Sequence, residues 1–565
     1  MMNFELLPNE IFLDLFDYFN GMDLLHTFYN LNFRFNFLLY KQFRKYKFDF
    51  NCISKRNFDL ICQHHLSFIA DRIITLCLCN SEDTPEQINV FLSYIPSLKQ
   101  FIGLRALSIG YIHSYEILLK ILDECHYLCN LTSLQLYYWT FPIDEHNLQI
   151  IIDKIWSLPK LNYCNFGITS NESSVLFTPT KISLTLENVV VYGIYFNFNE
   201  INQLFKCTPC LKHLSISIAS VFQDNCILSS LLTLTHLNIQ ISDKSEDRLI
   251  KIFQNTPNLY RLEINLFEDL INGHQWEQII RKYLTNLKVF QLTMYDMISI
   301  STYVQEEADN LFDSFRSSFW IDEHRWFIRC WTSDSLIQLC TSRDTATDYN
   351  AESIPDFYKS TYPNDNIEEF CNQMISIYDE NFFDTTIPSS ICLSHIEFLY
   401  MKLPINEQFW SIVPTLKQLR WLSIKFHNDT LQSQVQILLD RASHLETLII
   451  SQDDSLPLQT ALFRYTNSTV RELHLHECNY YFNEEECITL AHSPLGLQCQ
   501  VLSIVVKNCE SIIILVEHMN NLRILKVVVN DENNDKHIQW LKDYLPSTYI
   551  ITRNVNMRNG ILVWI

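Results

Sequence analysis

The sequence predicts an α/β protein in which parallel strands and helices alternate as a long repeat array, preceded by a small helical module. Three observations carry this. The pattern L-x-x-L-x-L/I recurs along most of the chain. Segments of helical periodicity separate its copies. The first fifty residues lack the pattern and have an apolar spacing of their own.

The clearest copies are LTSLQL (Leu131, Leu134, Leu136), LKHLSI (Leu211, Leu214, Ile216), LTHLNI (Leu234, Leu237, Ile239) and LYRLEI (Leu259, Leu262, Ile264). LRWLSI (Leu419, Leu422, Ile424), LETLII (Leu445, Leu448, Ile450) and LRILKV (Leu522, Leu525, Val527) continue them, with looser copies at Leu104, Leu287, Val470 and Cys499. Successive middle positions 214, 237, 262 and 290 are 23, 25 and 28 apart; 422, 448, 473, 502 and 525 give 26, 25, 29 and 23. In L-x-L the two apolar residues share one face of a short strand and the residue between them faces the other way. Helical stripes fall in the intervals: Leu148, Ile151, Ile152, Ile155 and Trp156; Trp276, Ile279, Ile280, Tyr283 and Leu284; Val435, Leu438, Leu439 and Ala442. Pro209, Pro257 and Pro414 mark the step from helix to strand, because proline stops a helix and biases its predecessor toward extended backbone. One strand and one helix every 25 residues or so describe a parallel β/α solenoid with the period of leucine-rich repeats, whose unit cannot bury its apolar face alone.

Composition narrows the function. Of 565 residues, 47% are hydrophobic and 19% charged, which suits a large core rather than a disordered chain. Lys plus Arg number 42 against 64 Asp plus Glu, and the resulting charge of −22 repels phosphate backbones, so no nucleic-acid partner is expected. There are only 8 glycines and no GxGxxG, GxxxxGK or GxSxG, which removes the common phosphate cradles and the nucleophile elbow. The N-terminus shows no basic region followed by an apolar run, and the most apolar stretch, 501–516, is broken by Lys507, Asn508 and Glu510. No signal peptide and no membrane partner are therefore expected. The 18 scattered cysteines read as reduced, mostly buried thiols of an intracellular protein, cytoplasmic or nuclear. On that expectation the glycosylation-like triplets at Asn130, Asn171, Asn428 and Asn467 are chance matches.

The repeat lapses between about Asp296 and Ser390. There Trp326–Trp331 alternates like a strand, with Ser335–Cys340 as its hairpin partner across Thr332-Ser333-Asp334. From Asp344 to Glu369 the chain is acidic and polar (Asp344, Asp348, Glu352, Asp356, Asp365, Glu368, Glu369), which reads as a solvated loop. The expected organisation is a helical module at 1–48, repeats at 49–296, an insertion with a hairpin and an acidic loop at 297–390, and repeats again at 391–565.

Within the module, Pro8 and Glu10 suit the first turn of a helix. Ile11, Leu15 and Phe19 are spaced i, i+4, i+8, with Phe12 and Phe16 on the neighbouring line. Asn20-Gly21 is read as the end of that helix and Asp23 as the cap of a second, and Leu31–Leu39 supplies a third apolar stretch. Three short helices bury too little to stand alone, so the module must lean on the repeats or on a partner. This segment resembles an F-box, whose usual form opens Leu-Pro-x-Glu-Ile and later has Asp-Leu-Leu. The matching positions are Leu7, Pro8, Glu10, Ile11, Leu15, Phe16, Phe19, Asp23, Leu24 and Leu25. The family's usual Val-Cys and Arg-Trp near the end are Leu31-Asn32 and Arg34-Phe35 here. The resemblance implies a substrate receptor of SCF-type cullin–RING ubiquitin ligases. It would dock on a Skp-type adaptor through Leu7, Pro8, Glu10, Ile11, Leu15, Phe19, Leu24 and Leu25, and through the adaptor on a cullin, while the repeats hold a protein substrate.

No residue cluster calls for catalysis, and no cofactor is expected. His474-Leu475-His476 places two imidazoles on one side of a predicted strand with only Cys478 nearby as a further ligand, short of a metal site. Cys207-Thr-Pro-Cys210 is a lone pair without a second at zinc spacing, and Cys77 and Cys79 read as buried thiols. On the solenoid reading, Tyr137, Glu263, Asn265, Gln291, Thr293, Lys425, His474 and His476 face a concave sheet surface. Their mixture of tyrosine, amides, imidazoles and both charges suits a protein partner.

Overall fold

In the computed structural model the apolar pairs of the repeat are buried: Leu134 and Leu136, Leu237 and Ile239, Leu262 and Ile264, Leu422 and Ile424 are each at most 2% exposed. The structure describes residues 4–168, 177–218, 228–242, 246–297, 304–333, 336–341, 354–426, 432–452, 460–478, 480–530, 534–554, 557 and 560–565. The class is α/β, with two compact units, Met1–Asp296 and Met297–Ile565.

The first unit begins with α1 (Asn9–Phe16), α2 (Gly21–Phe28) and α3 (Phe33–Phe37), the last running on into a wide turn, Leu38–Gln42. Their shared core is aromatic: the ring of Phe12 meets Phe35 edge-on at 5.0 Å, and Phe28 lies 5.0 Å from Phe16 and 5.4 Å from Phe35. Asn20, rather than Asp23, caps α2 by accepting from the Met22 amide, because only the residue just outside the helix can reach that donor. Gly21 is accordingly the first residue of α2 and not a helix terminator, and a Cβ there would press on the Phe48 ring at 2.7 Å.

Ten strands follow: β1 (Tyr46–Asp49), β2 (Ile73–Cys79), β3 (Ala106–Ile112), β4 (Ser133–Trp139), β5 (Tyr163–Ile168), β6 (Asn188–Phe196), β7 (His213–Ile218), β8 (His236–Ser242), β9 (Arg261–Phe267) and β10 (Val289–Met297). Each pairs in parallel with the next in sequence order. Equivalent repeat positions stack into rungs, so Leu214, Leu237, Leu262 and Phe290 form one buried row. The helices between strands turn their predicted stripes inward, as Leu148, Ile151, Ile152, Ile155 and Trp156 do on Glu145–Trp156.

In the second unit β11 (Arg329–Ser333) and β12 (Leu336–Cys340) are antiparallel, and β13 (Phe357–Ser360) joins the other side of β11. The acidic segment is thus not a simple solvated loop. Residues 344–353 lie outside the described residues, but Asp365 is wholly enclosed and takes two bonds from the equally enclosed Arg329, at 2.8 and 3.1 Å. Tyr358 (2.8 Å) and Ser360 (2.7 Å) donate to the same carboxylate. Charge buried this deeply must be paired, and Arg329 supplies the partner that composition alone does not reveal.

The parallel sheet of this unit starts at β14 (Ser376–Ile377) and runs through β15 (Phe398–Leu403), β16 (Trp421–Phe426), β17 (Thr447–Gln452), β18 (Glu472–His474), β19 (Val501–Val506) and β20 (Ile524–Val529). It ends in β21 (Ile550–Asn554) and β22 (Gly560–Trp564), of which only β22 runs against the sheet. The last strand of the sequence lies between β20 and β21, antiparallel to both, so β21 forms the edge.

Candidate functional site

The N-terminal module sorts its candidate residues by helix geometry. Phe12 and Phe16 take the core side of α1, which leaves Ile11 49% exposed and Leu15 half-buried on the adjoining line. Pro8 is exposed at the N-cap of α1, Glu10 is exposed in its first turn, and Leu7 and Phe19 are half-buried. Leu24 and Leu25 are different. They are 0% and 3% exposed on α2, so they fill the module's interior and are withdrawn from any contact surface. Sequence reasoning missed Leu6 (80% exposed), Phe33 (85%) and Leu31 (59%). The signal was present: once Phe35 takes the core on α3, Phe33 and Phe37 at i, i+4 must point outward. Arg34 ties these pieces together, donating to Asn9 Oδ1 at 2.8 Å and to the backbone carbonyls of Glu5 and Leu7. The segment carrying Leu6, Leu7 and Pro8 is thereby fastened beside α3.

On the sheet of the first unit, Tyr137, Glu263, Asn265, Gln291 and Thr293 lie on the side opposite the buried rows, all half-buried. Ser215, Asn238, Glu263 and Gln291 form one rung row. It is cross-linked: Asn238 donates to Glu263 at 2.9 Å, and Arg261 donates to Glu263 and to Gln291, each at 2.8 Å. Beside it the rings of His213 and His236 are 4.0 Å apart and border a shallow cavity of about 170 Å³. Burial holds both imidazoles below their ordinary range, assisted by His236 at the first and by Arg261 at the second. The arrangement is a hydrogen-bonding surface in which the charge pair, Arg261 and Glu263, is closed on itself.

In the second unit Lys425 is paired with Glu380 at 3.1 Å. His474 ends β18, and His476 has already left the strand for a 3-10 turn, so the two do not alternate along one strand as their spacing suggests. Their rings still come within 6.0 Å, with His476 Nδ1 3.0 Å from Ser503 Oγ. Cys478 is turned away into the core, where its thiol donates to the Ile450 carbonyl and burial pushes it up to about 12. Among the described residues no three His, Cys, Asp or Glu side chains are grouped to hold a metal ion. Every described cysteine is a free thiol, and Cys207 donates to the Pro179 carbonyl instead of pairing with Cys210. Among the described residues no helix is long and apolar enough to cross a membrane.

A further group escaped the sequence reading: Tyr111 and Tyr138 near the C-terminal ends of β3 and β4, and Tyr192 and Tyr195 in the second half of β6, with the last three 48%, 54% and 43% exposed. Two consecutive outward residues before the next apolar one, as in Leu136-Tyr137-Tyr138-Trp139, were the sequence trace of it.

Comparison with family models and with characterised proteins finds no match for the chain.

Proposed function

We propose that this chain is the substrate-receptor subunit of an SCF-type ubiquitin ligase. Residues 1–48 would be an F-box docking on a Skp-type adaptor and through it a cullin, and the two parallel sheets leucine-rich-repeat solenoids holding a protein substrate. The observation that carries the reading is the exposed line of Leu6, Pro8 and Ile11 on a module whose aromatic core is complete without them. A filled module has no internal use for these side chains, and clustered exposed apolar groups mark contact surfaces. The chain itself performs no chemistry in this role. It raises the effective concentration of a substrate lysine at a ubiquitin-charged enzyme.

The test is capture of a Skp-type adaptor by the full chain and by a Pro8→Asp/Ile11→Glu variant. Asp is a better N-cap than Pro, and Ile11 is half exposed, so the module stays folded. Adaptor affinity is expected to fall by a factor of roughly 100, the loss of two central contacts. Unchanged affinity sinks the assignment.

One observation favours a second reading, a protein-binding repeat scaffold with no ligase link in which the module is an end cap. Gly21 sits against the Phe48 ring, Asn20 donates to the Asp49 carbonyl at 3.3 Å, and the module so covers the edge strand β1. A chain that binds no adaptor at all is this scaffold.

A further inference from the structure

Three strands of the first unit carry one residue too many. Along β4 the buried Leu136 and Trp139 enclose two outward residues, Tyr137 and Tyr138, where strict alternation allows one. The register with β5 shifts at this point, as a bulge requires. In β6 the buried Val191 and Ile194 enclose Tyr192 and Gly193, again with a register shift, and in β3 Ile109 and Ile112 enclose Gly110 and Tyr111. The extra residues adopt left-handed backbone: φ is +51° at Tyr111, +56° at Tyr138 and +74° at Gly193. For a tyrosine this conformation is strained and persists only when its surroundings impose it.

What the strain accomplishes is the presentation of rings. Tyr111 and Tyr138 stack at 4.9 Å with 23° between their planes, and Tyr137 meets Tyr138 edge-on at 5.7 Å. Tyr137 lies over Gly110, one of only 8 glycines in the chain, where a Cβ would meet the ring at under 3 Å and lift it off the sheet; Tyr192 lies in ordinary contact over Gly167. The edge beyond these strands has one sign of charge. The connections leaving β2, β3 and β4 (residues 80–87, 113–118 and 140–147) hold Glu82, Asp83, Glu86, Glu116, Asp144 and Glu145 and not one Lys or Arg. Helix dipoles favour acids there, and the field they leave at the strand ends is negative all the same.

We propose that this tyrosine platform is the place where a partner protein is gripped, and that the partner presents arginines in an extended segment. The proposal rests on the reading of this sheet as the protein-holding one. Guanidinium planes stack on aromatic faces and are drawn by nearby carboxylates, which nucleobases are not. Spacing narrows it further. The exposed rings on β4 and β6 are two strands apart, about 9.6 Å at ordinary sheet spacing. A polyproline II segment places every third residue on one side at about 9.3 Å, so the fitting pattern is Arg-x-x-Arg.

The experiment measures binding of a fluorescein-labelled peptide, (Arg-Pro-Pro)4, to the full chain beside (Gln-Pro-Pro)4 and an oligothymidine. Tyr111→Gly/Tyr138→Gly is the informative variant, because glycine relieves the left-handed strain while removing both rings. Affinity for the arginine peptide is expected to fall about tenfold in this variant and in Tyr192→Ala, with Tm unchanged or raised in the glycine variant. Equal binding of the two peptides, unchanged binding in the variants, or oligothymidine binding as tightly as the arginine peptide overturns the proposal. A fall in Tm of the glycine variant overturns it too, since the rings would then serve stability. Adaptor capture is measured on the same variants. It runs through Pro8 and Ile11, so a failed platform leaves the ligase reading standing and a failed ligase reading leaves the peptide result intact.

Discussion

Each unit builds a buried apolar ladder, and the two differ in what they do with the other face. In residues 1–296, 29 acids meet 23 bases, and outward positions such as Ser108, Gly110, Gln135, Ser215 and Asn238 are small or amide, with Arg261 and Glu263 paired among them. In residues 297–565, 35 acids meet 19 bases, and the outward face is occupied by the unit's own charges. Ser423 and Ser503 are buried there, Lys425 is held by Glu380, and Lys402 by Asn381 and Asp384. The lesson is that the leucine rows determine the core in both units and leave the intervening residue free. In the first unit that freedom is spent on exposed rings beside one cross-linked row at Arg261 and Glu263, in the second on charges held by the unit's own acids.

Four experiments would break or sharpen this contrast. The largest effect belongs to the second unit. Asp365→Ala leaves Arg329 buried without its carboxylate, and a loss of about 3–5 kcal/mol is expected. Hydrogen exchange followed through a urea titration should show the loss in residues 297–565 and spare 1–296. A cost under about 1 kcal/mol would mean that the node is not as dry as its geometry says.

Acid should separate the units next. In the first, burial holds His65, His213 and His236 below the ordinary imidazole range, so the unfolded chain takes up protons that the folded unit resists. Its stability therefore falls as pH drops below about 6.5. In the second, burial alone would raise Asp365, but the bonds from Arg329, Ser360 and Tyr358 prevail and hold it low. His474 does the same for Glu472. Stability from depressed carboxylates is present above about pH 4 and disappears as pH falls through their folded values. Exchange protection at pH 5 should thus weaken in 1–296 first; the reverse order would contradict the assignment of these groups.

Two smaller effects probe the open face. Gly110→Ala drives a methyl into the Tyr137 ring and is expected to lower stability by about 1–3 kcal/mol, whereas Gly167→Ala meets Tyr192 Cβ at 3.5 Å and should be nearly neutral. Equal costs for the two in thermal melts would show that the rings are free to move aside. Smallest of all, Lys212→Ala removes an exposed ion pair with Glu187 and should shift stability by no more than about 0.5 kcal/mol.

Much of the architecture was legible before any coordinates. The alternation in LTHLNI and LYRLEI located β8 and β9, and the i, i+3, i+4 stripe at Trp276 located its helix, because burial on one face imposes a period that side-chain chemistry cannot disguise. The site was less legible. Leu24 and Leu25 look like the neighbouring candidates until packing turns them inward, and Tyr138 looks like an ordinary strand residue until a bulge turns it outward. His476 failed for a related reason: a strand that ends at His474 cannot carry the alternation any further.

By itself, then, the sequence determined which residues of the repeats enter the core, how often strand follows helix, and how negative the molecule is, since all three follow from composition and period. Tertiary structure alone decided that Asp365 would be enclosed against Arg329, that β22 would slip between β20 and β21, and that Tyr111 would stack on Tyr138. Each of those joins groups distant in the chain whose partners are set by packing, and no local pattern records a partner that lies 27 or 36 residues away.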